Sequence, residues 1–246
     1  MTKIRFTPSV IPNLFTAMNM FCGFLSILNT SQQKYFYAAW LIIIAAIFDA
    51  FDGLMARLTN SSSELGVELD SLSDIVSFGT APAFLIYTIY LFQFEVWGIL
   101  ISSIFLISGG FRLARFNVQL VGFDKNFFKG LPIPTAAIVL TSFILTFYKT
   151  YEGFSEFYSH LIIPLVIILS LLMVSKIKYD TIPSLSIQGI KEKPFTALFL
   201  ITAISLSIVT NGKAIFFIFV FVILFGIVRH MYYLFVHRKS KIKVMD

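Results

Sequence analysis

The sequence predicts an all-α integral membrane protein of about eight transmembrane helices, and three observations predict it. The 246-residue chain is 57% hydrophobic and only 13% charged, with a mean hydropathy of +0.85. A soluble domain carries about 25% charged residues. Apolar runs of span length recur along the whole chain, separated mostly by brief connections. The lysines and arginines, finally, are segregated to one side of those runs.

Crossing the hydrocarbon takes about 20 apolar residues. Backbone groups cannot stay unpaired there, so each run is expected to be a helix. The runs are 11–29, 36–57, 72–92, 96–116, 134–150, 158–175, 195–210 and 214–236. Pro12, Pro134 and Pro194 stand where helices start, and proline suits the first turn. Residues 1–10 hold two cations and no small-residue cleavage site, so they read as a retained interfacial lead-in. Residues 237–246 read as a basic tail on the membrane surface. No polar stretch is long enough to fold separately, so 1–246 reads as one membrane domain.

With the N-terminus in the cytoplasm, Lys34, Lys149 and Lys213 fall on the outer side and the other 16 of 19 cations fall inside. An odd number of spans would scramble that split. Both termini and the connection 58–71 are therefore expected to be cytoplasmic. The net charge of +6 is accounted for by these loops against anionic lipid, with no nucleic-acid partner implied. Cys22, the lone cysteine, excludes an internal disulfide and reads as an apolar packer. His160, His230 and His237 read as uninvolved in chemistry.

Against this background four aspartates stand out in FDAFDGLMARLTNSSSELGVELDSLSD, residues 48–74. A charge at a helix centre costs about 2.5–3.5 kcal/mol on insertion scales, so four facing lipid would cost on the order of 10 kcal/mol. Asp49 and Asp52 are three apart, about 4.5 Å along a helix axis and on one face. Asp70 and Asp74 are four apart, again on one face. The short connection makes the second and third helices antiparallel neighbours, so both acidic faces can converge on one pocket. Gly53 and Gly66 remove side chains beside it. Arg57 supplies a fixed cation for phosphate oxygens. Four carboxylates repel unless neutralised, and an oxygen-only set selects hard cations: Mg²⁺, Mn²⁺ or Ca²⁺. Two divalent ions would balance four aspartates and suit displacement at phosphorus. The plainer alternative, helix caps and surface salt bridges, explains one aspartate better than four.

Written out, the stretch is D49-x2-D52-G53-x2-A56-R57-x8-G66-x3-D70-x3-D74. It resembles the signature of the CDP-alcohol phosphotransferases, with every fixed position present. The resemblance implies a membrane enzyme with a six-helix catalytic core, here within 11–175, two additional helices at 195–236, and a homodimeric assembly. It implies a CDP-linked alcohol donor, two divalent ions, and attack by an acceptor hydroxyl on the β-phosphorus with CMP leaving. Asp49, Asp52, Asp70 and Asp74 are then expected to hold the metal ions, with Asp74 also the general base. Gly53, Ala56, Arg57 and Gly66 are expected to cradle the cytidine diphosphate, with Ser63, Asn13 and Thr16 as further contacts.

Two more stretches bear on the acceptor. ISGGFRLARFNVQ (107–119) and KGLPIPTAA (129–137) resemble the phosphatidylserine synthase branch of that family, and the resemblance runs from about residue 8 to 140. It implies CDP-diacylglycerol and L-serine as substrates. Arg112 and Arg115, three apart, can clamp an anionic acceptor group, with Asn117 beside them. A phosphate-bearing acceptor such as glycerol 3-phosphate or inositol phosphate would suit two arginines as well. An ether-lipid donor and, from a different class, a divalent-cation transporter are the remaining alternatives.

Overall fold

The computed structural model describes residues 10–59, 63–120, 128–179, 202–203 and 205–242. The lead-in at 1–9, Ser61 and Ser62 of the connecting loop, half of the span expected at 195–210 and the last residues of the basic tail lie outside that set.

The chain runs as α1 (Val10–Ser31), α2 (Tyr35–Leu58), α3 (Glu64–Asp74), a π-helical turn (Ile75–Thr80) and α4 (Ala81–Ile89). A 3-10 turn (Leu91–Phe94) leads into α5 (Glu95–Leu120), followed by α6 (Ile133–Phe147), α7 (Glu156–Val174) and a C-terminal helix, Lys213–Ile242. Among the described residues, six helical segments are long and apolar enough to cross a membrane: Val10–Ser31, Tyr35–Leu58, Glu64–Ile89, Leu91–Val118, Glu156–Val174 and Lys213–Tyr232.

Seven of the eight expected spans have a described helix, with two informative differences. The third span begins at Glu64, not at 72. The polar run ELGVELDSLSD reads as loop by hydropathy, yet it is an amphipathic helical extension. Ser63 caps it, its hydroxyl accepting from the Gly66 N–H at 3.0 Å. Asp70 thus sits inside a helix and does not cap one, and the connection between α2 and α3 is shortened. The fifth span is only 15 residues long and stops at Phe147, because Tyr148–Lys149 pairs with Gly153–Phe154 in a two-stranded hairpin. Gly153 has φ +73° there, a conformation glycine adopts without strain.

At about 22 Å α6 is short for a span. Its burial explains why that suffices: Ile133, Ala136, Ala137, Val139, Leu140, Phe143 and Ile144 are all inaccessible or nearly so. It is the central helix, wrapped by protein, and need not match the bilayer by itself. Around it, α1 and α2 pack closely through Ala38, Ala39 and Ala45 of α2, all fully buried. Small residues let membrane helices approach. Ser26 adds a hydroxyl donated to the Ala38 carbonyl at 2.9 Å.

The bundle has two unlike ends. One gathers the starts of α2 and α7 and the ends of α4 and α6. The other gathers the end of α2, the starts of α3 and α6, and the ends of α5 and α7.

Candidate active site

The second end carries the aspartates. One carboxylate oxygen from each of Asp49, Asp70 and Asp74 lies within 4.8 Å of the others. Asp49 comes from the second half of α2 and the other two from α3, so the antiparallel pair brings two sequence clusters to one point. Asp52 stands beside this triad, buried, and its carboxylate accepts from the Thr16 hydroxyl at 3.0 Å. That hydroxyl also reaches the Pro12 carbonyl at 3.2 Å, so α1 orients Asp52 through Thr16.

α1 grips α3 by its main chain. Ser73 donates to the Thr16 carbonyl at 3.0 Å and Ser77 to the Asn19 carbonyl at 2.9 Å. A methyl group on Gly23 would run into Ser77, so the glycine sets how closely the helices approach. Ser73, Ser77 and Gly23 escape a reading that looks only for charge. Their signal is spacing: two serines four apart flanking Asp74, against small and polar residues at 16, 19, 23 and 26 of α1. The π turn follows directly on Asp74, and such turns recur at functional sites.

The glycines differ in what surrounds them. A Cβ on Gly53 would meet nothing within 4 Å, so α2 presents open backbone there. A Cβ on Gly66 would come 3.1 Å from the Ser63 hydroxyl and 3.4 Å from Asn13 Oδ1. Asn13, Ser63 and Gly66 therefore meet. Ala56 is half-buried and Arg57 exposed at the end of α2.

The two arginines of α5 keep different company. Arg112 is buried, lies 5.8 Å over the Phe116 ring, and is within electrostatic reach of Asp74 and Asp49. Arg115 turns to the end of α7, donating to the carbonyls of Val174 at 2.9 Å, Ser175 at 3.2 Å and Met173 at 3.3 Å. Asn117 donates to the Ser71 hydroxyl at 2.9 Å, tying α5 to α3, and its amide oxygen is buried without a partner. The structure thus brings Arg112 to the carboxylates, while Arg115 and Asn117 brace the helices around them.

The donor set fits a divalent cation. Asp70 Oδ1 and Asp74 Oδ1 are buried and have no hydrogen-bond partner. A buried carboxylate oxygen calls for compensation. Three carboxylates converging from two rigid helices offer it to a hard, oxygen-seeking ion. No sulfur or imidazole stands in the group.

Comparison with known proteins agrees with this chemistry. The sequence profile described as CDP-alcohol phosphatidyltransferase matches residues 9–175. A Helicobacter pylori protein named CDP-diacylglycerol–serine O-phosphatidyltransferase is 38% identical over 202 residues, 81% of each chain. A Bacillus subtilis protein of the same name is 36% identical over 174 residues, 69% of this chain and 89% of that one. An archaetidylserine synthase of Methanothermobacter thermautotrophicus is 40% identical over 175 residues, 70% of each chain.

Proposed function

The chain belongs to the CDP-alcohol phosphatidyltransferase family, integral membrane transferases that use divalent metal ions, and from that premise we propose that it moves the phosphatidyl group of CDP-diacylglycerol onto L-serine. The products are phosphatidylserine and CMP. The observation that carries the reading is the Asp49–Asp70–Asp74 triad with Arg112 within electrostatic reach of it. The serine acceptor is supported by the names of the Helicobacter and Bacillus relatives.

Asp49, Asp52, Asp70 and Asp74 would hold two divalent ions, Mg²⁺ or Mn²⁺. When bound, such ions neutralise the pyrophosphate and stabilise charge that builds on the phosphoryl oxygens. The chain's own residues do the rest. Gly53, with open space over its backbone, and Ala56 and Gly66 admit the cytidine diphosphate close to α2 and α3. Asn13, Thr16 and Ser63 border that surface from α1 and the α3 cap. Arg57 offers its guanidinium to phosphate oxygens.

Arg112 attracts the serine carboxylate and so aims its hydroxyl at the β-phosphorus, with Asn117 flanking. Asp74 takes the hydroxyl proton as the new P–O bond forms and the bond to CMP breaks. Positioning and charge complementarity supply most of the acceleration, as phosphoryl transfer requires. The donor's lipid tails stay in the bilayer beside the bundle. The charge asymmetry of the loops supports a cytoplasmic pocket and cytoplasmic termini, and the functional unit is taken as a homodimer.

The test is CMP release by the purified protein in detergent with Mg²⁺ or Mn²⁺. CDP-diacylglycerol and an archaeal ether analogue serve as donors, with L-serine, glycerol 3-phosphate or inositol phosphate as acceptor. CMP with serine alone is the expected result. CMP with another acceptor keeps the pocket chemistry and overturns the serine assignment. No CMP with any pair overturns the transferase reading and favours a cation transporter. The archaetidylserine synthase relative makes the ether donor a specific second arm.

A further inference from the structure

The sequence pairs Arg112 and Arg115 as arms of one clamp, but the structure gives them separate tasks. The last carbonyls of any helix lack partners within it. At the end of α7 those of Met173, Val174 and Ser175 all accept from the Arg115 guanidinium. The neighbouring carbonyls are taken by the strand that enters α6: Leu131 N–H donates to Leu172 at 3.0 Å and Gly130 N–H to Ile177 at 2.8 Å. Phe128–Lys129 pairs with Lys178–Tyr179 just beyond. A cation at a helix C-terminus is also favoured by the helix dipole.

Gly130 makes this closure possible. Its φ is +88°, and a Cβ there would strike the Met173 carbonyl and come 2.6 Å from Arg115 Nη2 and 3.1 Å from the Ser175 carbonyl. Arg115 is three residues along α5 from Arg112, so whatever fixes the rotation and height of α5 at Arg115 fixes them at Arg112. We propose that Arg115 is a positioning residue: clasped over the C-terminus of α7 and backed by Gly130, it holds α5 so that Arg112 faces the acidic cluster. Arg112 binds the acceptor, and Arg115 does not touch it. This deepens the transferase reading and rests on it.

The experiment is steady-state kinetics of CMP release for the intact protein and for R112A, R115A, R115K, G130A and the R115A/G130A pair. Serine and CDP-diacylglycerol are varied in turn. R112A is expected to raise the serine KM about tenfold or more. R115A and G130A are each expected to lower kcat about tenfold with the serine KM within twofold of wild type. The pair is expected to be no worse than either single change, because both break one clasp. R115K keeps the charge without the planar fork, and its expected loss is about threefold in kcat at unchanged KM. It also serves as the test variant if R115A does not fold.

A serine KM raised by R115A or R115K as much as by R112A, with kcat preserved, would show a direct ligand and overturn the inference. So would multiplicative losses in the pair. Absence of CMP from the wild type with every acceptor sinks the transferase reading itself, and that result is distinct from a wild type that turns over while Arg115 behaves as a ligand.

Discussion

The two ends of the bundle solve opposite problems with the same helices. At one end aromatic rings close on one another: Tyr35 on Tyr148 at 5.7 Å, Tyr148 on Phe154 at 5.2 Å, Phe154 on Phe143 at 5.7 Å and on Tyr90 at 6.2 Å. Phe147 stacks on Tyr158 at 4.1 Å. Many weak, undirected contacts share the load there, and each ring pair adds about 0.5–1.5 kcal/mol beyond its buried area. At the other end directed bonds do the holding, from Thr16, Ser73, Ser77, Arg115 and Asn117, most of them aimed at main-chain carbonyls. The difference teaches that undirected packing and directed hydrogen bonding are spatially divided. The ring cluster spreads its contacts over many members, whereas the helices that carry the carboxylates are tied by a few directed bonds.

That division can be broken deliberately, and the largest effect is expected at Asp74. Asp74→Asn should lower CMP release by about 10²–10⁴-fold while leaving CDP-lipid binding measurable by equilibrium titration. Turnover near wild type would remove Asp74 from the role of base. In metal-free detergent the same variant should melt at least as high as wild type, because it relieves a crowded set of buried carboxylates. Chelation of divalent ions should take activity to background, and added Mn²⁺ or Mg²⁺ should restore it. Activity that survives exhaustive chelation would contradict the assignment of the triad.

A smaller effect is expected at Thr16. Thr16→Val removes the hydroxyl that orients Asp52, a loss of about 1–2 kcal/mol, so kcat should fall roughly tenfold and the melting temperature by a few degrees. The smallest catalytic effect should come from the aromatic end. Phe154→Leu should lower stability by about 1 kcal/mol and leave kcat and both KM values within twofold. If it impaired turnover as much as Thr16→Val, the two ends would not be independent.

The part of the site legible in the sequence was the part encoded by local spacing. Among the eight fixed positions from Asp49 to Asp74, Asp49, Asp70 and Asp74 depend only on helical periodicity and one short connection, so their convergence follows once the helices are antiparallel. Hydropathy misread the start of α3, because an amphipathic helix rich in Glu and Ser scores like a loop until its Ser63 cap is recognised. It overextended the fifth span, because burial by protein relaxes the length that lipid would impose. Arg115 could not be sorted from Arg112 at all. The two share a helix and a spacing, and only the position of the α7 terminus, a contact 58–60 residues away in sequence, separates them.

The π-helical turn from Ile75 to Thr80 carries a consequence for how the two halves of one helix are oriented. It lies between the segment that presents Asp70 and Asp74 and the segment that buries Leu85 and Ile86. Its i→i+5 hydrogen bonds wind the chain more widely than the α-helix on either side, so it changes which face each segment presents. The residues packed in the core therefore need not follow the rotation of those that present the two carboxylates, although both belong to one candidate span, Glu64–Ile89.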